Sequence, residues 1–207
     1  MSDSGFVVFL VDDDTAVLRG LKRLLNAEGY ETLCFSSPQA FLAGHDASVP
    51  GCAILDLMMP ELDGLVLQQM LTGNGFGRPV IFLTGYGDIP TSVQAMKAGA
   101  VDFLTKPVQR ETLLAAIVRA QKQDAAMRQR HGEMQTINSR LERLTPRERE
   151  VLKHVVAGRL NKQIAANLGT AEKTVKVHRG RVMRKLGVRS VADLVRMTER
   201  AGIAPRA

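Results

Sequence analysis

FVVFLVDDD, residues 6–14, is an apolar run that ends on three aspartates, and runs like it recur along the first half of the chain. ETLCF (31–35), CAIL (52–55), PVIFL (79–83) and VDFL (101–104) are further short apolar segments and are read as strands. Between them Val17, Leu18, Leu21, Leu24 and Leu25 recur at helical spacing, with Gly29 as a stop. Ser37 and Pro38 supply an N-cap and first-turn pair for a second helix. Gly64 to Leu71 and Pro90 to Ala98 give two more, and a fifth starts near Arg110. Five strand–helix units predict an α/β doubly wound fold, its parallel sheet covered on both faces. Crossovers of one hand put the ligand site of such a sheet at the carboxyl ends of its strands.

The residues at those ends are chemically pointed. Asp12 and Asp13 follow the first strand, Asp56 the third, Thr84 the fourth and Lys106 the fifth. Taken singly, an aspartate run is a solvated turn, a strand-end Thr a cap and a Lys-Pro pair a turn. One fold carries all of them to the same edge, and together they make a phosphoryl-accepting site. Asp13 and Asp56 can bind a hard cation such as Mg²⁺, with Asp12 holding a ligand water and the Met58 carbonyl adding an oxygen. Asp56 can then attack a phosphoryl donor. Lys106 and the metal offset charge on the transferring oxygens, and Thr84 can hydrogen-bond the phosphoryl group once it has arrived.

Charge divides the chain. Residues 1–118 hold 7 Lys/Arg against 13 Asp/Glu, 119–144 hold 6 against 3, and 145–207 hold 15 against 5. An acidic front and a basic rear predict two domains with different partners, the rear suited to a polyanion. No stretch approaches the roughly 20 apolar residues of a membrane span, and no basic region precedes a secretory core. Cys34 and Cys52 lie in apolar segments without metal-type spacing, so they are expected to be reduced core residues of a cytoplasmic protein.

From Glu111 to about Leu144 there is no Pro and one Gly, Gly132. Met127, Met134 and Leu141 recur every seven residues, as do Ile137 and Leu144, which predicts a long helix with a weak coiled-coil seam. Domains are expected at 1–120 and 144–207, with a helical linker over 121–143. Thr145-Pro146-Arg147-Glu148 then forms a capping box. Four short helices follow, at about 146–157, 161–168, 171–186 and 190–200, separated by Gly158, Gly169 and Gly187. The middle pair is spaced as a helix-turn-helix. On its second helix Val175, Val182 and Leu186 fall on one face; Lys173, Lys176, Val177, Gly180, Arg181 and Arg184 fall on the other. Cations suit phosphates and guanine edges, and a Val suits a thymine methyl. Asn161, Lys162, Thr174, Lys185 and Arg189 are placed for contacts to the DNA backbone.

VDDD (11–14), DLMMPELDG (56–64), TGYGD (84–88), KAGAVDFLTKP (97–107) and LTPREREVL…NKQIA…TVKVHRGRVMRKL (144–186) together resemble a two-component response regulator of the FixJ/NarL type. The resemblance covers nearly the whole chain. It implies a flavodoxin-like receiver of strand order 2-1-3-4-5, joined to an all-α four-helix LuxR-type helix-turn-helix domain. It also implies that Asp56 is the phosphoacceptor, that Asp12, Asp13 and Asp56 form the Mg²⁺ site, and that Thr84 and Lys106 touch the phosphoryl group. A cis Lys106–Pro107 bond, a switch aromatic at Phe103 and a dimer surface with Val93 and Lys97 are implied too. Tyr86 stands where such receivers more often carry His. Among the reader positions the resemblance singles out Lys176 and Val177.

The function so implied is transcription control. A sensor histidine kinase phosphorylates Asp56, and the phosphorylated form dimerises and binds double-stranded DNA. The chain has no room for an ATPase module, so activation relies on ordinary RNA polymerase holoenzyme; repression fits the same residues. Two other readings compete with this one. A haloacid dehalogenase-type phosphatase needs D-x-D-x-[TV] and would make Asp12 the nucleophile, but its fifth position here is Ala16. A regulator that binds DNA without phosphorylation is the second.

Overall fold

The computed structural model describes residues 5–60, 62–73, 77–85 and 89–203. They divide into two compact units, Met1–Gln129 and Arg130–Ala207.

In the first unit β1 (Val7–Val11), β2 (Glu31–Phe35), β3 (Gly51–Leu55), β4 (Val80–Thr84) and β5 (Asp102–Thr105) form one parallel sheet. Its strand order is β2-β1-β3-β4-β5, as expected. Helices α1 (Thr15–Ala27), α2 (Pro38–Gly44), α3 (Gly64–Gly73) and α4 (Ile89–Lys97) connect the strands, and α5 (Arg110–Glu142) follows β5. Strand alternation divides the sheet's side chains between two layers. Val8 and Leu10 pack with Leu18, Leu21 and Leu25 of α1 and with Leu113 and Ile117 of α5. Val7, Phe9 and Val11 pack instead with Phe41 of α2 and with Leu67 and Leu71 of α3. Each fully buried Leu, Ile or Phe contributes about 1.5–3 kcal/mol, so the two layers fix the register against any slip.

Strand limits shift slightly from expectation, for a plain reason. Pro79 has no N–H and contributes only its carbonyl, which accepts from the Ala53 amide at 2.9 Å. The strand proper therefore starts at Val80 and takes in Thr84. Tyr86 lies outside the described residues.

In the second unit the end of α5 joins α6 (Pro146–Val156), α7 (Asn161–Leu168), α8 (Glu172–Leu186) and α9 (Val191–Arg200). Thr145 and Glu148 close the capping box at the start of α6. The core is aliphatic, built on Val151, Leu152, Val155, Ile164, Val175, Val182, Leu186 and Leu194.

The residues of the expected coiled-coil seam make contacts within the chain. Ile137 and Leu144 are buried in the second unit and Leu141 packs on its core. Met127 packs in the first unit, its Cε 2.9 Å from the point where a Cβ on Gly77 would stand. Leu141 and Leu144 are thus engaged in the second unit's core, and Met127 makes its contact within the first unit.

Candidate functional site

The three aspartates after β1 take three roles. Asp14 is the N-cap of α1, accepting from the Ala16 amide at 2.7 Å. Asp12 is buried, and its Oδ1 accepts from the Asp14 amide at 2.9 Å. Asp13 is exposed, beside a cleft lined by Ser37, Pro38 and Pro60.

Backbone bonds bring the other strand ends to this edge. The Asp56 amide donates to Val11 O at 2.8 Å, and the Lys106 amide donates to Thr84 O at 2.8 Å. Asp56 is buried, and its Oδ1 accepts from the Leu57 amide at 2.7 Å. Its Oδ2 lies 3.1 Å from Lys106 Nζ, which is also 2.6 Å from Asp12 Oδ2. Thr84 is fully buried at the end of β4, and the Lys106–Pro107 peptide is cis. Met58 follows two residues after Asp56 with its side chain exposed. Gly64, at the start of α3, permits a close approach: a Cβ there would stand 2.5 Å from the Asp56 carbonyl oxygen.

The electrostatics favour a cation. Burial raises the Asp12 carboxyl above its ordinary pKa, against the hydrogen bonds from Lys106 and the Asp14 amide. Burial alone would depress Lys106, but its bonds to Asp12 and Asp56 outweigh that and hold the ammonium above its ordinary value. Asp12, Asp13 and Asp56 offer carboxylate oxygens within 4.8 Å of one another. Three carboxylates against one ammonium form an oxygen-only set with surplus negative charge, which fits a hard divalent ion.

Phe103 is half-buried, its ring centroid 6.0 Å from that of the buried Phe82. Val93 and Lys97 are exposed on α4, beside exposed Ile89 and Met96.

On α8, Val175, Val182 and Leu186 are buried, while Lys173, Thr174, Lys176, Val177, Arg181 and Arg184 are exposed. Gly169 closes α7 in the left-handed region at φ 60°, which a side chain would strain, and so sets the tight turn into α8. Lys162 and Arg189 are exposed. Asn161 accepts from Arg179 Nη1 at 3.0 Å, tying α7 to α8. Lys185 differs from the expectation of a DNA-backbone contact. Its ammonium pairs with Glu148 Oε2 at 2.6 Å and donates to Arg143 O at 3.0 Å. One helical position decides this: Lys185 adjoins the buried Leu186 and faces inward across α6.

Sequence reasoning also missed Arg78 of the first unit. It is buried over the Phe9 ring at 4.0 Å and donates to Asp46 O at 2.8 Å. A lone arginine before a strand carries no pattern that reveals such a role.

Among known families, the response regulator receiver domain matches residues 8–118, and the bacterial regulatory proteins of the luxR family match 142–198. The chain is 48% identical over 200 residues to the response regulator protein TodT of Pseudomonas putida, covering 97% of this chain and 88% of that protein. It is 37% identical over 196 residues to the transcriptional regulatory protein FixJ of Bradyrhizobium diazoefficiens, covering 95% and 96%. The solved structure of the response regulator StyR superposes with a TM-score of 0.78 at 43% identity, covering 95% of this chain and 99% of that one.

Proposed function

The chain belongs to the two-component response regulators that join a receiver domain to a luxR-family DNA-binding domain, and on that premise we propose that Asp56 is its phosphoacceptor. The family is one of transcriptional regulators and not of enzymes, which removes the phosphatase alternative. The observation that carries the proposal is the meeting of Asp12, Asp13, Asp56 and Lys106 at one strand edge.

The donor is a phosphohistidine of a sensor kinase. The Leu57 amide holds Asp56 Oδ1 and leaves Oδ2 turned to Lys106. Oδ2 attacks phosphorus, the N–P bond breaks, and the departing imidazole takes up a proton. Lys106 balances charge on the transferring oxygens. Asp12, Asp13 and Asp56 would hold Mg²⁺, with the Met58 carbonyl as a further oxygen; bound there, the ion supplies charge neutralisation. Thr84 then hydrogen-bonds the new phosphoryl group, which adds about −1.5 to −2 of charge. That movement repositions Phe103 and prepares the α4 surface around Val93 and Lys97 for a second copy.

Pairing two receivers raises DNA affinity through effective concentration, with no new base contact. We assign base contacts to Lys176 and Val177, and phosphate contacts to Lys173, Thr174, Arg181, Arg184, Asn161 and Lys162. RNA polymerase holoenzyme is the further partner of an activating complex. No helix among the described residues is long and apolar enough to cross a membrane, and we place the protein in the cytoplasm with its DNA.

Light scattering with Mg²⁺ and beryllium fluoride, a phosphoryl mimic, tests the switch. A monomer-to-dimer shift is expected for the wild type and not for Asp56→Asn; no shift in either removes dimerisation from the mechanism. The reader is tested by Lys176→Ala, expected to weaken specific DNA binding by about 1–3 kcal/mol. Unchanged affinity and sequence preference would move the reader off this face.

A further inference from the structure

We infer that Arg140, on α5 and outside the helix-turn-helix, is a positioning residue for DNA reading that fixes the carboxyl end of α8. Its Nη1 donates to the carbonyl of Leu186, the last residue of α8, at 3.1 Å. The last carbonyls of a helix have no partner within it, and they carry the negative end of its dipole. A guanidinium there satisfies one of them and balances that charge.

The local sequence is built for this contact. Gly187, the C-cap of α8, has φ 68°, and a Cβ on it would stand 3.2 Å from Arg140 Nη1. The glycine therefore supplies both the left-handed turn and the room for the guanidinium. Its amide donates back to Arg184 O and Met183 O, so the chain turns away and leaves Leu186 O to Arg140. One residue earlier, Lys185 reaches Arg143 O and Glu148 Oε2. Leu141 and Leu144, which follow Arg140 in sequence, pack against and within the same core. The carboxyl end of α8 is thus held from the α5 side as well as by its own core face.

Geometry turns this anchor into a reading effect. The 15 residues of α8 span about 22 Å, at roughly 1.5 Å each. Lys176 and Val177 lie toward the opposite end from the anchor. Those residues stand roughly 15 Å from Leu186, so a tilt of about 5° at the anchored end displaces them by about 1 Å, enough to degrade a hydrogen bond to a base edge. Phosphate contacts made by long, flexible cations tolerate it better, so loss of the anchor lowers specific binding more than non-specific binding.

This inference rests on the reading of α8 as the groove helix, and the experiment separates the two. Full-length Arg140→Ala, Arg140→Lys and Lys176→Ala are assayed with beryllium fluoride present, on an operator duplex selected by the wild type and on a scrambled duplex, across a salt series. Arg140→Ala is expected to lose about five- to twenty-fold in operator affinity, with scrambled-duplex affinity and salt slope unchanged. Arg140→Lys, which keeps a charged donor, recovers part of the loss. Equal losses on both duplexes with a shallower salt slope would make Arg140 a phosphate contact and overturn the inference. So would a deficit that vanishes at low temperature as lost helicity returns, since it would report unfolding and not positioning. If Lys176→Ala loses specificity while Arg140→Ala does not, the inference alone fails. If both are silent, the reading of α8 fails with it.

Discussion

Asp56→Asn takes up no phosphoryl group from a kinase or a small phosphoramidate donor, while its receiver melts at the wild-type temperature or above. The amide is nearly isosteric, and its carbonyl can still accept the Leu57 amide that Asp56 Oδ1 accepts at 2.7 Å. What it lacks is an anionic oxygen to bond phosphorus, since an amide oxygen is a poor nucleophile. The expected loss is therefore complete on the assay's scale. The stability prediction comes from the neighbours. Asp12, Asp13 and Asp56 crowd their oxygens within 4.8 Å, and removing one of three like charges relieves repulsion. Lys106 keeps Asp12 as its partner at 2.6 Å, so no buried cation is orphaned.

The crowded carboxylates also make the receiver's stability cation-dependent. Mg²⁺ that binds only the folded receiver stabilises it in proportion to its affinity. Wild type should gain melting temperature on addition of Mg²⁺, and Asp56→Asn should gain less. Phosphoryl uptake by Asp56→Asn at the wild-type level would end the assignment and move attention to Asp12 or Asp13. Equal Mg²⁺ stabilisation of both proteins would take Asp56 out of the metal site while leaving its nucleophilic role standing.

The sheet and the acidic edge were legible because their signals are periodic or conjunctive. Five apolar runs separated by helical spacing leave little choice of architecture, and a parallel sheet carries its strand ends to one side. The capping box at Thr145 and Glu148 was equally plain, since local hydrogen bonding is written in adjacent residues. What stayed hidden depends on contacts distant in sequence. Lys185 carries the same charge as its reader-face neighbours, and only its pairing with Glu148, 37 positions away, shows that it faces inward. Nothing in the local sequence separates Arg140 from the other linker charges; its contact with Leu186 O does. Met127, Met134 and Leu141 recur every seven residues, as do Ile137 and Leu144, but periodicity states which residues share a face and not what covers it. Here the second unit's core takes up Leu141 and Leu144.

Glu148→Ala should destabilise the DNA-binding unit by about 2–4 kcal/mol, a large part of the total for so small a domain. Glu148 is 2% exposed and does two jobs at once. Its Oε2 accepts from the Thr145 amide at 2.9 Å, closing the cap of α6, and pairs with Lys185 Nζ at 2.6 Å, tying α6 to α8. Alanine removes both and leaves the half-buried ammonium with the Arg143 carbonyl alone. Glu148→Gln keeps the cap acceptor and removes the charge, so its loss should be smaller. Every Phe and Tyr of the chain lies at or before residue 103 and there is no Trp. Aromatic fluorescence therefore reports on the receiver alone, and amide exchange over residues 146–198 is the measurement that isolates this unit. The pH dependence has a definite sign. Burial alone would raise the Glu148 carboxyl, but the bonds from Lys185 and Thr145 outweigh it and hold the pKa below its ordinary value. A group depressed on folding contributes fully above its unfolded pKa, about 4.3, and that contribution is lost as pH falls through the lower folded value. Residues 145–207 hold 15 Lys/Arg against 5 Asp/Glu, so acid also adds general repulsion to both proteins. The contrast with Glu148→Gln removes that shared part. Wild-type protection should fall more steeply than the variant's below about pH 4.3, the two converging in acid; parallel acid limbs would mean that the Glu148–Lys185 pair adds nothing to the hold of α6 on α8.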